Sequence, residues 1–290
     1  MSYRTVVIQS KCKLKYHNNY LVVRGEKLNR IHIDEIGLLL IDSTQVVITT
    51  MLINELIKKK VKIVFCNEKR NPAGELIPLY GGYNNTKKIN IQINWLEDTK
   101  ETLWQLIVQR KILMQAKLLE KMGCSEYTVL LEYAKDVKKG DVSNREGHAA
   151  KVYFNSLFPE NFKRFNNDNI NAALNYGYSI LASYINREII SFGYLTQLGI
   201  KHRNEFNNFN LTYDLIEPLR TIVDEYVIKN IDRDLTSDYK MELVNLLNKK
   251  VKIKNQEHYL TNAITIYLTS VFDYLENNGK TKIIFIDLNE

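Results

Sequence analysis

The first part of the chain alternates short apolar runs with turn-forming residues, a pattern typical of β-strands. Through about Tyr83 the runs are TVVIQS, KLKYHNNYLVVRG, RIHIDEIGLLLID, VKIVFC and ELIPLY. Turn-forming residues separate them, among them His17-Asn18-Asn19 and Pro72-Ala73-Gly74. One segment, TQVVITTMLINELIKKK, has helical spacing, with Ser43 as its cap and lysines in its last turn. The pattern predicts a small sheet domain with one helix packed on it.

A change of pattern then marks a domain boundary. Gly81-Gly82-Tyr83-Asn84-Asn85 breaks both periodicities just before the long helical pattern WLEDTKETLWQLIVQRKILMQAKLLEKMG. Helices are predicted as far as about Asn278. A strand-like IIFIDL follows, which could extend a sheet, dock on a partner or pack in the core. The predicted fold class is α+β: a small N-terminal β-sheet domain with one helix, residues 1–85, followed by a larger all-α domain, residues 86–290.

Two helical segments in the second part carry start signals near acidic residues. DVSNREGHAAKVYFNSLFP is predicted to begin at a Ser143 cap, which places Glu146 in its first turn, and to stop before Pro159. Another helix is expected to begin around Asp214, because Pro218 is tolerated only near a helix start. Both segments therefore present carboxylates close to a predicted helix end.

A loop between helices carries the candidate histidine. The segment from Asn169 to Leu198 has apolar residues at helical spacing, and Gly199 fits the position just past a helix end. His202 is then expected on the loop that follows. Asp214 and Glu217 are three residues apart, so on a helix they share one face, where their repulsion favours a bound cation.

Together, Glu146, His202, Asp214 and Glu217 could converge from three segments on one divalent metal. Oxygen donors with one imidazole suit Mg²⁺ or Mn²⁺ better than structural Zn²⁺. The pattern favours a metal-dependent attack on phosphodiesters. Spacing alone leaves a plainer explanation open. The Ser143–Glu146 and Asp214–Glu217 pairs both match the capping box, in which the glutamate binds its own cap residue, and a lone histidine after a helix is often a surface residue.

Composition favours a DNA-binding protein of a reducing compartment. The chain has 290 residues, 45% of them hydrophobic, which suffices for one or two folded domains. A net charge of +7 suggests a polyanionic partner and salt-sensitive binding. Cys12, Cys66 and Cys124 form no C-x-x-C pair, and no signal peptide or membrane-spanning run is found, so we expect a cytoplasmic protein. The motifs of nucleotide hydrolysis, dinucleotide binding and zinc proteolysis are missing from the sequence.

Four segments occur in a recognisable order. They are EGHAAKVYF from Glu146, NAALNYGYSILAS from Asn171, GIKHRNEF from Gly199 and FNLTYDLIEPLR from Phe209. They resemble the CRISPR-associated spacer-acquisition integrases, in the form found beside single-effector (type II) systems, and the resemblance extends over the whole chain. It implies a DNA endonuclease and integrase that inserts short DNA fragments into a CRISPR repeat array, by attack of a 3′ hydroxyl on a phosphodiester, as part of antiviral defence.

The same resemblance implies roles for individual residues. Glu146, His202 and Glu217 would be the catalytic metal ligands for Mg²⁺ or Mn²⁺, with Asp214 as a possible further ligand. Some relatives carry aspartate where this chain has Glu217. Expected partners are double-stranded DNA, both as incoming fragment and as repeat, a second copy of the chain bound through the N-terminal sheet domain, and a second, smaller CRISPR-associated adaptation protein.

Two further residues and two rival functions complete the expectations. Arg220 and Lys201 lie beside the expected ligands and could bind flanking DNA phosphates. One rival function is a general metal-dependent nuclease that cuts branched DNA without joining ends. The other is a non-catalytic DNA-binding scaffold in which the carboxylates only cap helices.

Overall fold

The computed structural model describes residues 4–68, 70, 72–76 and 84–288. The chain divides into two compact units, Met1–Tyr83 and Asn84–Glu290. The first unit is built on two β-sheets and the second is mainly helical. Among the helices of the described residues, none has the length and apolar character needed to cross a bilayer.

Within the described residues, the first unit contains strands and one α-helix. In chain order these are β1 (Arg4–Ile8), β2 (Cys12–His17), β3 (Tyr20–Arg24), β4 (Leu28–His32), β5 (Ile36–Ile41), β6 (Val46–Ile48), α1 (Thr50–Lys58), β7 (Lys62–Cys66) and β8 (Pro72–Leu76). One sheet has the order β1-β5-β7-β8, and the other has the order β4-β3-β2-β6.

The first sheet is built around β5, whose sequence IGLLLI is buried at every position. It pairs in parallel with β1 on one side and β7 on the other. An unbroken apolar run is what a parallel strand covered on both faces requires. Leu39, Ile41 and Ile63 join the core of this unit, together with Leu52 and Leu56 of α1, so the predicted packing of the helix on the sheet is confirmed.

The second sheet contains the hairpin predicted at His17-Asn18-Asn19. Asn18 and Asn19 have φ of 47° and 64° and connect β2 to β3. A two-residue hairpin loop of this hand requires positive φ at both central residues, which asparagine tolerates better than most side chains. The sequence signal and the turn geometry therefore agree.

The start predicted for the first helix is wrong. Val46–Ile48 forms β6, parallel to β2, and α1 begins only at Thr50. Ser43 caps no helix, because its hydroxyl accepts from the backbone N–H of Gln45. A run of β-branched residues is well suited to a strand, and pairing with a distant strand decides its conformation.

The turn predicted at Pro72-Ala73-Gly74 is also wrong, because these residues lie in β8. Among the described strands β8 lies at the edge of its sheet and pairs with β7, and an edge tolerates a proline that lacks an N–H. The last residues of the predicted strand ELIPLY, 77–80, and Gly81-Gly82-Tyr83 of the predicted linker lie outside the described residues.

The second unit consists of helices and one hairpin. In chain order these are α2 (Asn85–Ile93), α3 (Glu97–Lys121), α4 (Tyr127–Lys135), α5 (Arg145–Leu157), α6 (Asn169–Ser191), α7 (Asn210–Ile216), α8 (Thr221–Lys229), α9 (Ser237–Asn245), β9 (Lys250–Ile253), β10 (Gln256–Tyr259) and α10 (Leu260–Glu276). A short 3-10 helix, Glu217–Leu219, lies between α7 and α8.

The long helix predicted after the linker is α3, which has a central position in this unit. It packs against α4, α5, α8 and the 3-10 helix Glu217–Leu219. Gly123, with φ of 77°, lies just beyond its end, where a left-handed backbone stops a helix. α3 therefore reaches both segments that carry the candidate glutamates.

The helix predicted from Asn169 to Leu198 is shorter than expected. α6 ends at Ser191, and Gly193, with φ of 88°, follows it. Gly199 therefore does not end a helix. The chain after Gly193 turns back instead, and the carbonyl of Thr196 accepts from the N–H of Leu211 in α7.

The expectation of an all-α second unit is corrected by the β9–β10 hairpin. Its loop residues Lys254 and Asn255 have φ of 52° and 60°, as in the β2–β3 turn. The prediction that IIFIDL forms a strand is also wrong. Within the described residues this segment makes one antiparallel bridge, between Asp287 and Lys252 of β9. Ile286 packs in the core beside it.

Candidate active site

Glu146 lies in the first turn of α5, as predicted, but the cap is not Ser143. The carboxylate of Asp141 accepts from the backbone N–H of Arg145 at 2.8 Å and of Glu146 at 3.1 Å. The hydroxyl of Ser143 is buried and has no hydrogen-bond partner among the residues that the structure describes. A capping box between Ser143 and Glu146 is therefore excluded, and the side chain of Glu146 is free for another role.

Glu217 lies in the 3-10 helix that follows α7, and its side chain is only 5% exposed. Arg220 contacts one carboxylate oxygen, Oε1, through Nη2 at 2.9 Å and Nε at 3.0 Å. Burial alone would raise the pKa of Glu217, but Lys111 and Arg220 outweigh it and lower that pKa to about 2. The two cations therefore favour the ionised form of Glu217.

Lys111 of α3 joins the two glutamates. Its ammonium nitrogen lies 2.6 Å from Oε1 of Glu146 and 2.6 Å from Oε2 of Glu217. Burial disfavours the ammonium, yet Glu217 and Glu146 raise the pKa of Lys111 above its usual value. Two carboxylates from separate helices thus meet around one positive charge.

His202 lies on the loop after α6, as predicted, and Asp214 holds it there. Nδ1 of the ring lies 2.6 Å from Oδ1 of Asp214, and the edge of the ring meets Trp104 at a centroid distance of 5.8 Å. The hydrogen bond with Asp214 raises the pKa of His202, against the effect of burial. The second ring nitrogen, Nε2, is left for another partner.

Asp214 is fully buried and its oxygens are occupied by the loop. Oδ2 accepts from the backbone N–H groups of Ile200 and Lys201, and Oδ1 accepts from the N–H of His202. α7 begins at Asn210, so the predicted helix start at Asp214 is wrong, and with it the capping box between Asp214 and Glu217. Asp214 shapes the loop that presents the histidine.

Gly199 has a different role from the predicted helix end. A Cβ atom at this position would lie 2.3 Å from the carbonyl oxygen of His202 and 2.7 Å from Oδ2 of Asp214. Real Cβ atoms do not approach backbone so closely, so only glycine lets the loop fold over the carboxylate. The residue is required for close approach of the backbone, not for positive φ.

The other two predicted residues lie beside the site. The guanidinium of Arg220 is held by Glu217 and stacks over the ring of Tyr178, 4.7 Å from its centroid. The ammonium of Lys201 donates to the carbonyl of Gly140 at 2.9 Å. Arg220 is thus in direct contact with Glu217, and Lys201 is held by the backbone of the 3-10 helix Lys139–Asp141.

The site is suited to a hard divalent cation, although its ligands are not assembled. In the described part of the chain, no three His, Cys, Asp or Glu side chains lie close enough together to hold a metal ion as they stand. The two glutamates nevertheless converge on one cation, Lys111. Oε2 of Glu217, which the Lys111 ammonium contacts at 2.6 Å, is an oxygen that an ion could take over from the lysine. Carboxylate oxygens and one imidazole fit Mg²⁺ or Mn²⁺.

Sequence reasoning missed Lys111, Trp104 and Asp141. Trp104 and Lys111 are seven residues apart on α3, so they lie on one face of the helix. Trp104 contacts His202, and Lys111 lies between the two glutamates. The seven-residue spacing could have predicted that the two residues share a helix face. Nothing in the sequence predicts that this face packs against the segments that carry the carboxylates. The capping role of Asp141 could not be predicted, because Asp141 ends a 3-10 helix, Lys139–Asp141, that comes just before the turn leading into α5.

Comparison with known proteins places the chain among CRISPR-associated sequences. The family described as CRISPR associated protein Cas1 matches residues 5–259. The chain is 34% identical to the CRISPR-associated endonuclease Cas1 of Neisseria meningitidis serogroup C (strain 8013), over 94% of this chain and 91% of that protein.

Solved structures share the fold at low sequence identity. A casposase bound to integration product has a TM-score of 0.77 and 20% identity, covering 97% of this chain and 92% of that chain. A Cas6-RT-Cas1–Cas2 complex has a TM-score of 0.75 and 19% identity, covering 99% of this chain and 36% of that one.

Proposed function

The chain belongs to the CRISPR-associated Cas1 family, and from that premise we propose that it is a divalent-metal-dependent DNA endonuclease and integrase. It inserts short DNA fragments into a CRISPR repeat array as part of antiviral defence. The name of its Neisseria relative, an endonuclease, and the integration product bound by the casposase support this proposal. The observation that carries the proposal is the meeting of Glu146 and Glu217, from separate helices, around one positive charge.

The reaction is a transesterification that needs no external energy source. The 3′ hydroxyl of the incoming DNA loses its proton and forms a bond to a phosphorus atom at the repeat. The bond from that phosphorus to the 3′ oxygen of the adjoining nucleotide breaks, that oxygen takes up a proton, and the number of phosphodiester bonds is unchanged. Charge grows on the phosphate oxygens and on the leaving oxygen. A bound Mg²⁺ or Mn²⁺ supplies Lewis-acid stabilisation of that charge, which a carboxylate-rich site alone would repel.

Glu146, His202 and Glu217 hold the metal ion in this proposal. Lys111 and Arg220 favour the ionised form of Glu217, and His202 has its Nδ1 engaged by Asp214, which leaves Nε2 to bind. Asp214 orients the imidazole and is not a ligand itself, because its two oxygens accept from the loop backbone and the ring. The possible fourth ligand is thus reassigned to a positioning role.

The expected partners form part of the proposal. Residues 1–85 provide the contact between two copies of the chain, and residues 86–290 form the catalytic domain that binds the incoming fragment and the repeat. The likeness to a chain of the Cas6-RT-Cas1–Cas2 complex supports a second, smaller adaptation protein as a partner. Arg220 and Lys201 bind the phosphates that flank the scissile bond, and their positions beside Glu217 and Asp214 favour this role.

Strand transfer of a short duplex into a repeat-bearing plasmid tests the function. We expect joining with Mg²⁺ or Mn²⁺ and none with EDTA. Glu146→Gln and His202→Ala should each lose at least about 100-fold in rate, since each removes a ligand of the ion that stabilises transition-state charge. Glu132→Gln, which changes an exposed carboxylate of α4, is the matched control and should join at the wild-type rate.

Other outcomes identify the rival functions. Metal-dependent cutting without joining, with branched DNA preferred, would favour a general nuclease. Binding of DNA with neither cutting nor joining would favour the non-catalytic scaffold. Joining that is insensitive to EDTA or to both substitutions would contradict the metal-dependent mechanism.

A further inference from the structure

Lys111 has no part in the ligand set proposed above, yet it has the central position between two members of that set. Its side chain is 12% exposed, and its ammonium contacts Glu146 and Glu217 at equal distances of 2.6 Å. Glu146 comes from α5 and Glu217 from the 3-10 helix after α7. The lysine thus stands where carboxylates from two segments converge.

The charges around this point already balance. Glu146 and Glu217 carry two negative charges, and Lys111 and Arg220 carry two positive ones. Two carboxylates this close repel one another in a partly buried site unless a cation lies between them. Lys111 supplies that cation.

A divalent ion on the same oxygens would disturb this balance. If Lys111 stayed in place, the site would gain two positive charges beside a buried ammonium, and like charges at such distances repel strongly. The ammonium occupies Oε1 of Glu146 and Oε2 of Glu217, oxygens that an ion held by the two glutamates would share or take over. The two cations would therefore compete for these oxygens.

The contact with Glu217 is suited to exchange. Oε2 pairs with the ammonium at 2.6 Å, a contact between opposite charges that a doubly charged ion on the same oxygen can replace. A lysine is a compact charge on a flexible four-carbon chain and can withdraw without moving α3. The bidentate contact of Arg220 with Oε1 can persist meanwhile, because it uses the other oxygen of Glu217.

We propose that Lys111 is a resident counter-cation, which holds Glu146 and Glu217 together in the metal-free protein and competes with the divalent ion for the same two oxygens. The inference rests on the proposed function, because it assumes that these glutamates bind the ion. Lys111 is a positioning residue in this scheme. It keeps the site assembled before the metal arrives and weakens metal binding by its own presence.

Metal binding without DNA tests the proposal directly. Mn²⁺ is titrated into wild type, Lys111→Met and Lys117→Met, and free Mn²⁺ is measured by electron paramagnetic resonance. Lys117 is the matched control, since it lies on the same helix and contacts the half-exposed Asp287. We expect Lys111→Met to bind Mn²⁺ at least about tenfold more tightly than wild type, because the competing charge is gone, and Lys117→Met to be unchanged.

Thermal unfolding gives a second readout. In EDTA the Tm of Lys111→Met should fall below that of Lys117→Met, because the two glutamates repel without a counter-ion. Mn²⁺ should raise the Tm of Lys111→Met more than that of wild type. If Lys111→Met folds poorly in EDTA, folding that recovers with Mn²⁺ supports the proposal, and folding that does not recover in either Lys111→Met or Lys111→Gln opposes it.

The failures of the two proposals are distinguishable. Wild type that binds Mn²⁺, together with a Lys111→Met variant that binds it equally or more weakly, overturns the counter-cation role alone. Absence of Mn²⁺ binding in both proteins overturns the proposed function and this inference together.

Discussion

At the residue scale, Asp214 determines the geometry of the histidine. One buried carboxylate accepts from the backbone of Ile200, Lys201 and His202 and also engages the His202 ring. The sequence suggested Asp214 as an added metal ligand because it stands one helical turn before Glu217. The sequence could not show that the loop at His202, twelve residues before Asp214, would hydrogen-bond to both carboxylate oxygens of Asp214. That arrangement depends on how closely Gly199 lets the loop backbone approach the carboxylate.

Asp214→Asn should destabilise the second unit and weaken metal binding. The asparagine side chain keeps one acceptor oxygen and replaces the other with an NH₂ group that faces backbone N–H donors. At least one buried N–H therefore loses its acceptor, and each such loss costs about 1–3 kcal/mol of unfolding free energy. Urea denaturation followed by tryptophan fluorescence measures this, because Trp95 and Trp104 both lie in the second unit. Asp232→Asn, at an exposed position, is the control and should be nearly neutral. An Asp214→Asn variant as stable as the control would contradict the role assigned to this carboxylate.

Asp224 provides a pH dependence that is separate from the metal ligands. Its carboxylate is buried and accepts from the hydroxyls of Tyr153 and Tyr178. Burial raises the pKa of Asp224 from 3.8 to about 6, although the two tyrosines and Arg220 oppose the shift. Between these values the folded protein binds more protons than the unfolded chain, so the contribution of this group to stability falls as pH rises, and it is constant above about pH 6.

Asp224→Asn removes this dependence. The free energy of unfolding of the variant relative to wild type should therefore increase between pH 4 and pH 7, by an amount on the order of 2–3 kcal/mol for a shift of about two units. Urea denaturation of both proteins across that range measures the difference. A difference that stays constant with pH, or that falls, would contradict the raised pKa.

At the element scale, local signals succeeded where local geometry decides the structure. The Asn18-Asn19 hairpin and the long helix α3 follow from turn chemistry and apolar spacing. Val46–Ile48 was assigned to a helix because its pairing with β2 is not visible in the local pattern. The end of α6 was placed at Gly199 because two glycines compete for that role, and only packing shows that Gly193 ends the helix.

The start of α5 carries Glu146, so its cap should matter for the site. Asp141→Ala removes the acceptor for the N–H groups of Arg145 and Glu146 and should cost about 1 kcal/mol or somewhat more, as loss of an N-cap acceptor does. Hydrogen exchange at these two amides should accelerate. Ser143→Ala is the matched control, because the Ser143 hydroxyl has no partner in the described part of the chain, and exchange at the same two amides should be unchanged in that variant. The reverse pattern would restore Ser143 as the cap.

At the scale of the whole molecule, charge favours binding of DNA through its phosphates. The chain carries 40 Lys and Arg against 33 Asp and Glu, a net charge of +7. Affinity for a short duplex should therefore fall about tenfold or more between 50 and 200 mM salt, since each neutralised phosphate releases a counterion. Fluorescence anisotropy at several salt concentrations measures the slope, with metal kept constant. Affinity independent of salt would contradict electrostatic binding.

Some features of the whole molecule could be predicted from the sequence and others could not. The two-part organisation could be predicted, because the change of hydrophobic periodicity near Asn84 is visible in a single sequence. The candidate ligands were named through family resemblance, since spacing alone could not separate them from capping boxes. Lys111 could not be predicted by either route, because its position between Glu146 and Glu217 depends on the packing of α3 against α5 and the 3-10 helix Glu217–Leu219.

The most direct test of the central claim is the position of a metal ion in crystals of the protein grown or soaked with Mn²⁺, measured by anomalous scattering. We expect an anomalous peak at coordination distance from a carboxylate oxygen of Glu146, a carboxylate oxygen of Glu217 and Nε2 of His202, with the ammonium of Lys111 moved away from both glutamates. A peak elsewhere, with Lys111 still between the glutamates at saturating Mn²⁺, would contradict the account.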